Sequence, residues 1–89
     1  MKTIWKFELE IVDEQVIKMP VGALLLQTAQ IQNITPVIWA ICDSLYKMEE
    51  VTIITIGTGN PIDILEELMY LGTYQLRGFV GHVFVKKII

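Results

Sequence analysis

The chain opens on an alternation. Trp5, Phe7, Leu9 and Ile11 share one parity, and Lys6, Glu8 and Glu10 the other. A period of two marks a half-buried strand, so one is predicted over Thr3 to Ile11. Asp13-Glu14 interrupts it, and Gln15 to Met19 reads as a short second strand, making residues 3–19 a hairpin. Pro20-Val21-Gly22 is the next break. Ala23 to Gln32 reads as a long strand, Asn33-Ile34-Thr35-Pro36 as the turn of a second hairpin, and Val37 to Asp43 as the return. That last stretch is almost wholly apolar, which predicts cover on both faces: core on one side, a subunit interface on the other.

Ser44 to Glu50 is polar and reads as a loop, and Val51 to Ile56 as a β-branched strand that runs into Gly57-Thr58-Gly59-Asn60-Pro61. Asn60 suits an N-cap, Pro61 a first helical position, and Asp63 the positive end of a helix. Ile62, Leu65 and Met69 recur at helical spacing, so a short helix is predicted from Pro61 to about Leu68. Met69 to Leu76 is strand-like again, with Gly72 as a bulge or kink. Arg77-Gly78 turns the chain into a last strand, Phe79 to Lys86, which closes a third hairpin. The fold expected is mainly β (α+β). It is a small antiparallel β-sandwich or partly open barrel of about seven strands, with one short helix after Gly57-Asn60 plugging an end. No repeat or linker divides residues 1–89, so a single domain is expected.

Composition strengthens the β reading: Ile, Val and Thr supply 29 of 89 residues, and β-branched side chains fit a pleated sheet better than a helix. Apolar residues make up 53% of the chain. A domain this small buries only about 60–65% of its unfolded surface, so the surplus predicts homo-oligomerisation. Seven basic residues against ten acidic ones give a net charge of −3. That excludes a broad nucleic-acid surface driven by phosphate neutralisation. Apolar runs reach six or seven residues, short of the ~18 of a membrane helix, and Glu8 and Glu10 break up any signal-peptide core. A soluble, cytoplasmic protein is expected. Cys42, the single cysteine, sits in an apolar run and reads as a buried small hydrophobe.

Two places could hold chemistry. In Gly57-Thr58-Gly59-Asn60, glycines allow close backbone approach, and a following helix would present free N–H groups to an anion. The loop lacks the lysine of a phosphate loop and the third glycine of a dinucleotide fingerprint. Tyr70, Tyr74, Arg77, His82 and Lys86 cluster in the last hairpin. Arginine recognises phosphate bidentately and aromatic faces stack on bases. Alternation places Tyr70 and Tyr74 on one face, and His82 and Lys86 on one face of the partner strand. The candidate ligand-binding set is Gly57, Thr58, Gly59, Asn60, Tyr74, Arg77 and His82. Trp5 and Trp39 read as core or interface anchors. One His and one Cys do not make a metal site, and no carboxylate pair is forced together across a cleft. No cofactor is implied and no catalytic residue is assigned.

The order of the pieces resembles a family of small proteins encoded in phage and prophage genomes. The matching stretches are Ile4-Trp5-Lys6-Phe7-Glu8-Leu9, Met19-Pro20-Val21-Gly22-Ala23, Ile38-Trp39-Ala40-Ile41, Gly57-Thr58-Gly59-Asn60-Pro61-Ile62, Tyr70-Leu71-Gly72-Thr73-Tyr74-Gln75-Leu76 and His82-Val83-Phe84. Members of that family often carry Gly in the turn that is Asn33-Ile34-Thr35-Pro36 here, and His where this chain has Asn60. The resemblance implies a protein that acts by binding. The expected function is non-catalytic sequestration of a small anionic ligand, such as a cyclic nucleotide immune signal, in anti-defence. The alternatives are an inhibitor of a host defence protein or structural phage module, and a small nucleotide hydrolase using His82 as acid or base.

Overall fold

The computed structural model describes residues 1–62 and 67–86. Eight strands follow in order: β1 (Lys2–Glu8), β2 (Glu14–Pro20), β3 (Leu24–Leu25), β4 (Gln30–Gln32), β5 (Thr35–Asp43), β6 (Met48–Gly57), β7 (Leu68–Leu76) and β8 (Phe79–Lys86). They form two antiparallel sheets. In sheet A, β1 flanks β5 on one side while β3 and β4 flank it on the other; sheet B runs β2-β6-β8-β7. The sheets do not close into a barrel, so the architecture is a sandwich. The helix expected over Pro61 to Leu68 is corrected at both ends, because Pro61, Ile62 and Glu67 have no regular structure and Leu68 already belongs to β7. Its middle, residues 63–66, lies outside the described residues. No helix occurs among the described residues, and none there is long and apolar enough to cross a membrane.

The expected hairpin over residues 3–19 does not form. Strand β1 pairs β5 with Trp5 opposite Ala40, and β2 pairs β6 with Ile17 opposite Val51. The connection crosses between the sheets. Leu9 is buried at its start, where its N–H bonds the Pro36 carbonyl in sheet A, and the Asp13 carbonyl accepts from Thr55 in sheet B. Ile11, expected in the strand, is exposed in this crossing. The polar stretch Met48-Glu49-Glu50, expected as loop, begins β6, where Glu50 sits opposite Lys18.

The long strand expected over Ala23 to Gln32 is broken into β3 and β4. Both pair β5, but from Leu26 (bonded to Trp39) to Gln30 (opposite Val37) this side takes four steps against two on β5. The facing sheet explains the break. A Cβ on Gly72 of β7 would lie 2.5 Å from the Ala29 backbone nitrogen. The Thr28-Ala29 backbone therefore presses against sheet B at a glycine and cannot also lie flat in the ladder. The turn between β4 and β5 falls where expected but is shorter: Thr35 and Pro36 already belong to β5, Gln32 lies opposite Thr35, and the two central residues, Asn33 (φ 48°) and Ile34 (φ 65°), are left-handed.

The core lies between the sheets. Phe7 and Leu9, Ile38 of β5, and Ile53, Leu71, Val83 and Val85 of sheet B pack there, with Ile38, Ile53, Leu71 and Val83 fully buried. Of the cover expected on both faces of β5, the core side is in place, with Ile38, Ala40 and Cys42 buried; on the outer face Val37 is buried and Trp39 and Ile41 keep partial exposure.

A hydrogen-bonded line across the outer face of sheet B

Strand β8 decides which groups reach the outer face. Gly81, Val83 and Val85 point inward, so His82, Phe84 and Lys86 point outward. On one side Ile56 lies opposite His82; on the other, Thr73 does. The register of β7 slips between Tyr70 and Gly72, and the extra residue, Leu71, is fully buried. One inserted residue reverses the faces that follow. Tyr70 and Tyr74, expected on one face, therefore point opposite ways.

Tyr70 stays outside, half-exposed, with its ring 5.5 Å from that of Phe84. Tyr74 is buried in the core against Phe79, where a Cβ on Gly81 would fall 2.8 Å from its ring. Its hydroxyl has no partner among the described residues, and burial pushes its phenol above the usual range. Tyr74 thus serves the core and not the outer face.

His82 joins the two candidate places. Its Nε2 lies 2.7 Å from Thr58 Oγ1, and its Nδ1 lies 3.0 Å from Thr73 Oγ1. Thr73 Oγ1 in turn lies 2.5 Å from the Tyr70 hydroxyl. Four side chains from three elements thus form one line from the glycine turn to the edge of the sheet. A neutral imidazole donates through one nitrogen and accepts through the other; a charged one donates through both. Where the ring donates through Nε2, Thr58 Oγ1 accepts and its O–H is free to donate outward; where Nε2 accepts, the Thr58 O–H is used by the ring.

The turn itself is a bonded structure. Asn60 N–H donates to the Gly57 carbonyl at 3.1 Å, with Gly59 at φ 88°, the position where a type II turn needs glycine. Thr58 N–H donates to the Val80 carbonyl at 3.2 Å. These two N–H groups are already used, so the expected backbone cradle for an anion loses two donors, and the Thr58 hydroxyl lies beside what is left of it. Asn60 folds back onto Gly57, its Nδ2 2.9 Å from where a Cβ would stand. Beyond Ile56 lies an open depression of about 340 Å³ lined by Asp13, Glu14, Ile54, Thr55, Asn60 and Pro61. Arg77 is exposed at the β7–β8 turn, at the same end of sheet B, with φ 50° and no described side-chain partner. Of the expected set, then, the geometry joins Thr58 to His82, sets Gly57, Gly59 and Asn60 beside them as the turn, leaves Arg77 free at the tip, and removes Tyr74 to the interior. Thr73 and Tyr70 join the line although neither was in that set. No group of His, Cys, Asp and Glu able to hold a metal occurs among the described residues.

The family model of a domain of unknown function (DUF7352) matches residues 1–88 of the chain. The chain belongs to that family. No curated protein and no solved structure matches it.

Proposed function

We propose that the protein is a non-catalytic binding protein that takes a small anionic ligand on the outer face of sheet B. The observation that carries this reading is the meeting of Thr58 and His82 at 2.7 Å. They come from two stretches that each suggested anion recognition separately. A phosphate beside Thr58 meets the hydroxyl donor, held from behind by the His82 ring, and Arg77 at the same end of the sheet. The depression with Asp13 and Glu14 accepts hydrogen bonds from the amino group of a base, so a nucleotide suits the two halves of the face. A cyclic nucleotide immune signal, sequestered in an anti-defence role by a phage-type protein, is the ligand class proposed, in keeping with the resemblance to phage and prophage proteins. Titration of the protein with cyclic mono- and dinucleotides tests this. Binding is expected, weakened about tenfold or more in His82→Ala and less in Arg77→Ala. If no nucleotide binds, or the His82→Ala affinity equals that of the unmodified chain, the reading fails.

A second reading has its own support. A hydroxyl bonded to a histidine nitrogen is the arrangement of an activated nucleophile, so Thr58 and His82 could act in nucleotide hydrolysis. What holds His82 from behind is the Thr73 hydroxyl and not a carboxylate, so a developing imidazolium lacks the balancing charge of a triad. That difference favours binding. Release of product from a bound nucleotide, lost in both Thr58→Val and His82→Ala, would reverse the preference.

A further inference from the structure

Strand β1 is an open edge of sheet A, seven residues long, without proline, bulge or covering strand among the described residues. Such an edge is a template for another strand. The other edges are blunted. Strand β2 ends in Pro20, which lacks a donor, β7 carries its bulge, and the far side of sheet A is split into β3 and β4.

The free hydrogen-bonding groups of β1 can be assigned. Leu9 N–H donates to Pro36 O at 2.8 Å in line with the β1–β5 register. Odd residues of β1 therefore exchange hydrogen bonds with β5, and the N–H and C=O groups of Lys2, Ile4, Lys6 and Glu8 face the empty side. The bond from Leu26 to Trp39 O on the far side of β5 agrees with that parity. A second β1, antiparallel about a two-fold axis, must then pair even residues with even.

Charge selects among the allowed registers. Centring the axis on Trp5 pairs all seven residues and sets Lys2 opposite the partner's Glu8 twice, with Ile4 opposite the partner's Lys6. Centring on Ile4 sets Lys2 against the partner's Lys6 twice, and centring on Lys6 sets two Lys6 side chains together. Lys2 and Glu8 are exposed and have no side-chain partner among the described residues. Asp43, opposite Lys2 on β5, faces the Met1 amino group at 3.6 Å, and Lys6 donates to Gln32 Oε1 at 3.0 Å. In the Trp5-centred register, the half-buried Trp5 and Phe7 continue the core side of the sheet across the axis, with Trp5 against its own copy.

We infer that the protein forms a two-fold dimer by antiparallel β1–β1 pairing centred on Trp5, with Lys2 and Glu8 bridging at both ends. The joined sheets make one continuous sheet, linked by about eight backbone hydrogen bonds across the axis.

Sedimentation equilibrium of the full chain tests this through charge reversal. The unmodified protein is expected to be a dimer. Lys2→Glu and Glu8→Lys each turn two attractive cross-strand pairs into repulsive ones and are expected to weaken dimerisation at least about tenfold. The double variant, and an equimolar mixture of the two single variants, restore attraction and are expected to recover the dimer. Circular dichroism confirms that each variant is folded, since both side chains are exposed and outside the core. A monomeric unmodified protein overturns the inference. So does a dimer indifferent to either reversal, or one lost in both single variants and not recovered in the double variant or the mixture.

Discussion

The two sheets of this sandwich solve the same problem differently. Sheet B is built from four strands of seven to ten residues, each laid beside the next along its length. Sheet A hangs on one long strand, β5, with β1 on one side and the two fragments β3 and β4 on the other. The irregularities of the two sheets face each other: the break in sheet A lies over Gly72, beside the bulge of sheet B. Their outer faces differ too. Sheet B carries the hydrogen-bonded line through His82, whereas Ile4, Ile41 and Leu24 make an apolar row across sheet A, with Ile4 and Leu24 about 60% exposed. One face carries directional hydrogen-bonding groups; the other sits beside an open edge. The two surfaces proposed for recognition thus fall one to each sheet.

The largest way to break this arrangement is at the joint. Gly72→Ala places a methyl group 2.5 Å from the Ala29 nitrogen. Backbone cannot yield there cheaply, so a loss of about 3 kcal/mol is expected in a denaturant melt. A change under about 0.5 kcal/mol would mean that the sheets do not meet at this point.

A smaller effect compares the two-residue turns. Arg77-Gly78 closes the hairpin of sheet B with glycine at its second position (φ 84°), whereas Asn33-Ile34 closes that of sheet A with a β-branched residue at φ 65°. Ile34 is exposed, so its side chain gains little there. Ile34→Gly is expected to stabilise the protein by about 1 kcal/mol, read as a raised melting temperature. A lowered one would show that the Ile34 side chain contributes more than its backbone costs.

Smaller still is Tyr74→Phe. Removing a buried hydroxyl without a partner is expected to leave stability unchanged or raise it by up to about 1 kcal/mol, and to leave nucleotide affinity unchanged. A loss of affinity would put Tyr74 back among the ligand-contacting residues.

The gentlest test uses pH and touches both sheets at once. Burial pushes the Cys42 thiol of sheet A and the Tyr74 phenol of sheet B above their ordinary values of 9.0 and 10.0. Above those values the unfolded chain releases protons that the folded chain still holds, so it binds fewer and stability falls as pH rises. Stability is expected to be intact below about pH 9 and to decline through pH 9 to 10 and beyond. Cys42→Ala and Tyr74→Phe each remove part of that slope, and an unchanged slope in both would contradict the assignment.

Much of sheet B was legible in the chain. Phe79 to Lys86 read as the last strand and forms β8, Gly72 in an apolar run signalled the bulge, and Arg77-Gly78 signalled the turn. Sheet A was less legible because its shape is imposed from outside. The break after Leu26 answers to Gly72, far along the chain, and Ala23 to Gln32 contains no local sign of it. The short link from β1 to β2 reads the same whether the chain returns beside itself or crosses to the other sheet. Of the outer line, the residue types were legible at Thr58 and His82 but not their meeting. Thr73 was within reach: counting back from a two-residue turn at Arg77-Gly78 sets it opposite His82. Counting past Gly72 fails, because the bulge reverses the parity, and this misplaced Tyr70 relative to Tyr74.

Ligand binding on the line through Thr58 and His82, as proposed, is open to a direct test. The most direct measurement compares the protein with His82→Ala, both purified natively from cells that make cyclic nucleotide signals. Each is then denatured, and the released small molecules are identified by mass spectrometry. One nucleotide in stoichiometric amount is expected from the unmodified protein and little or none from the variant. No nucleotide from the unmodified protein, in cells shown to contain the signals, or equal amounts from both, would contradict the proposal.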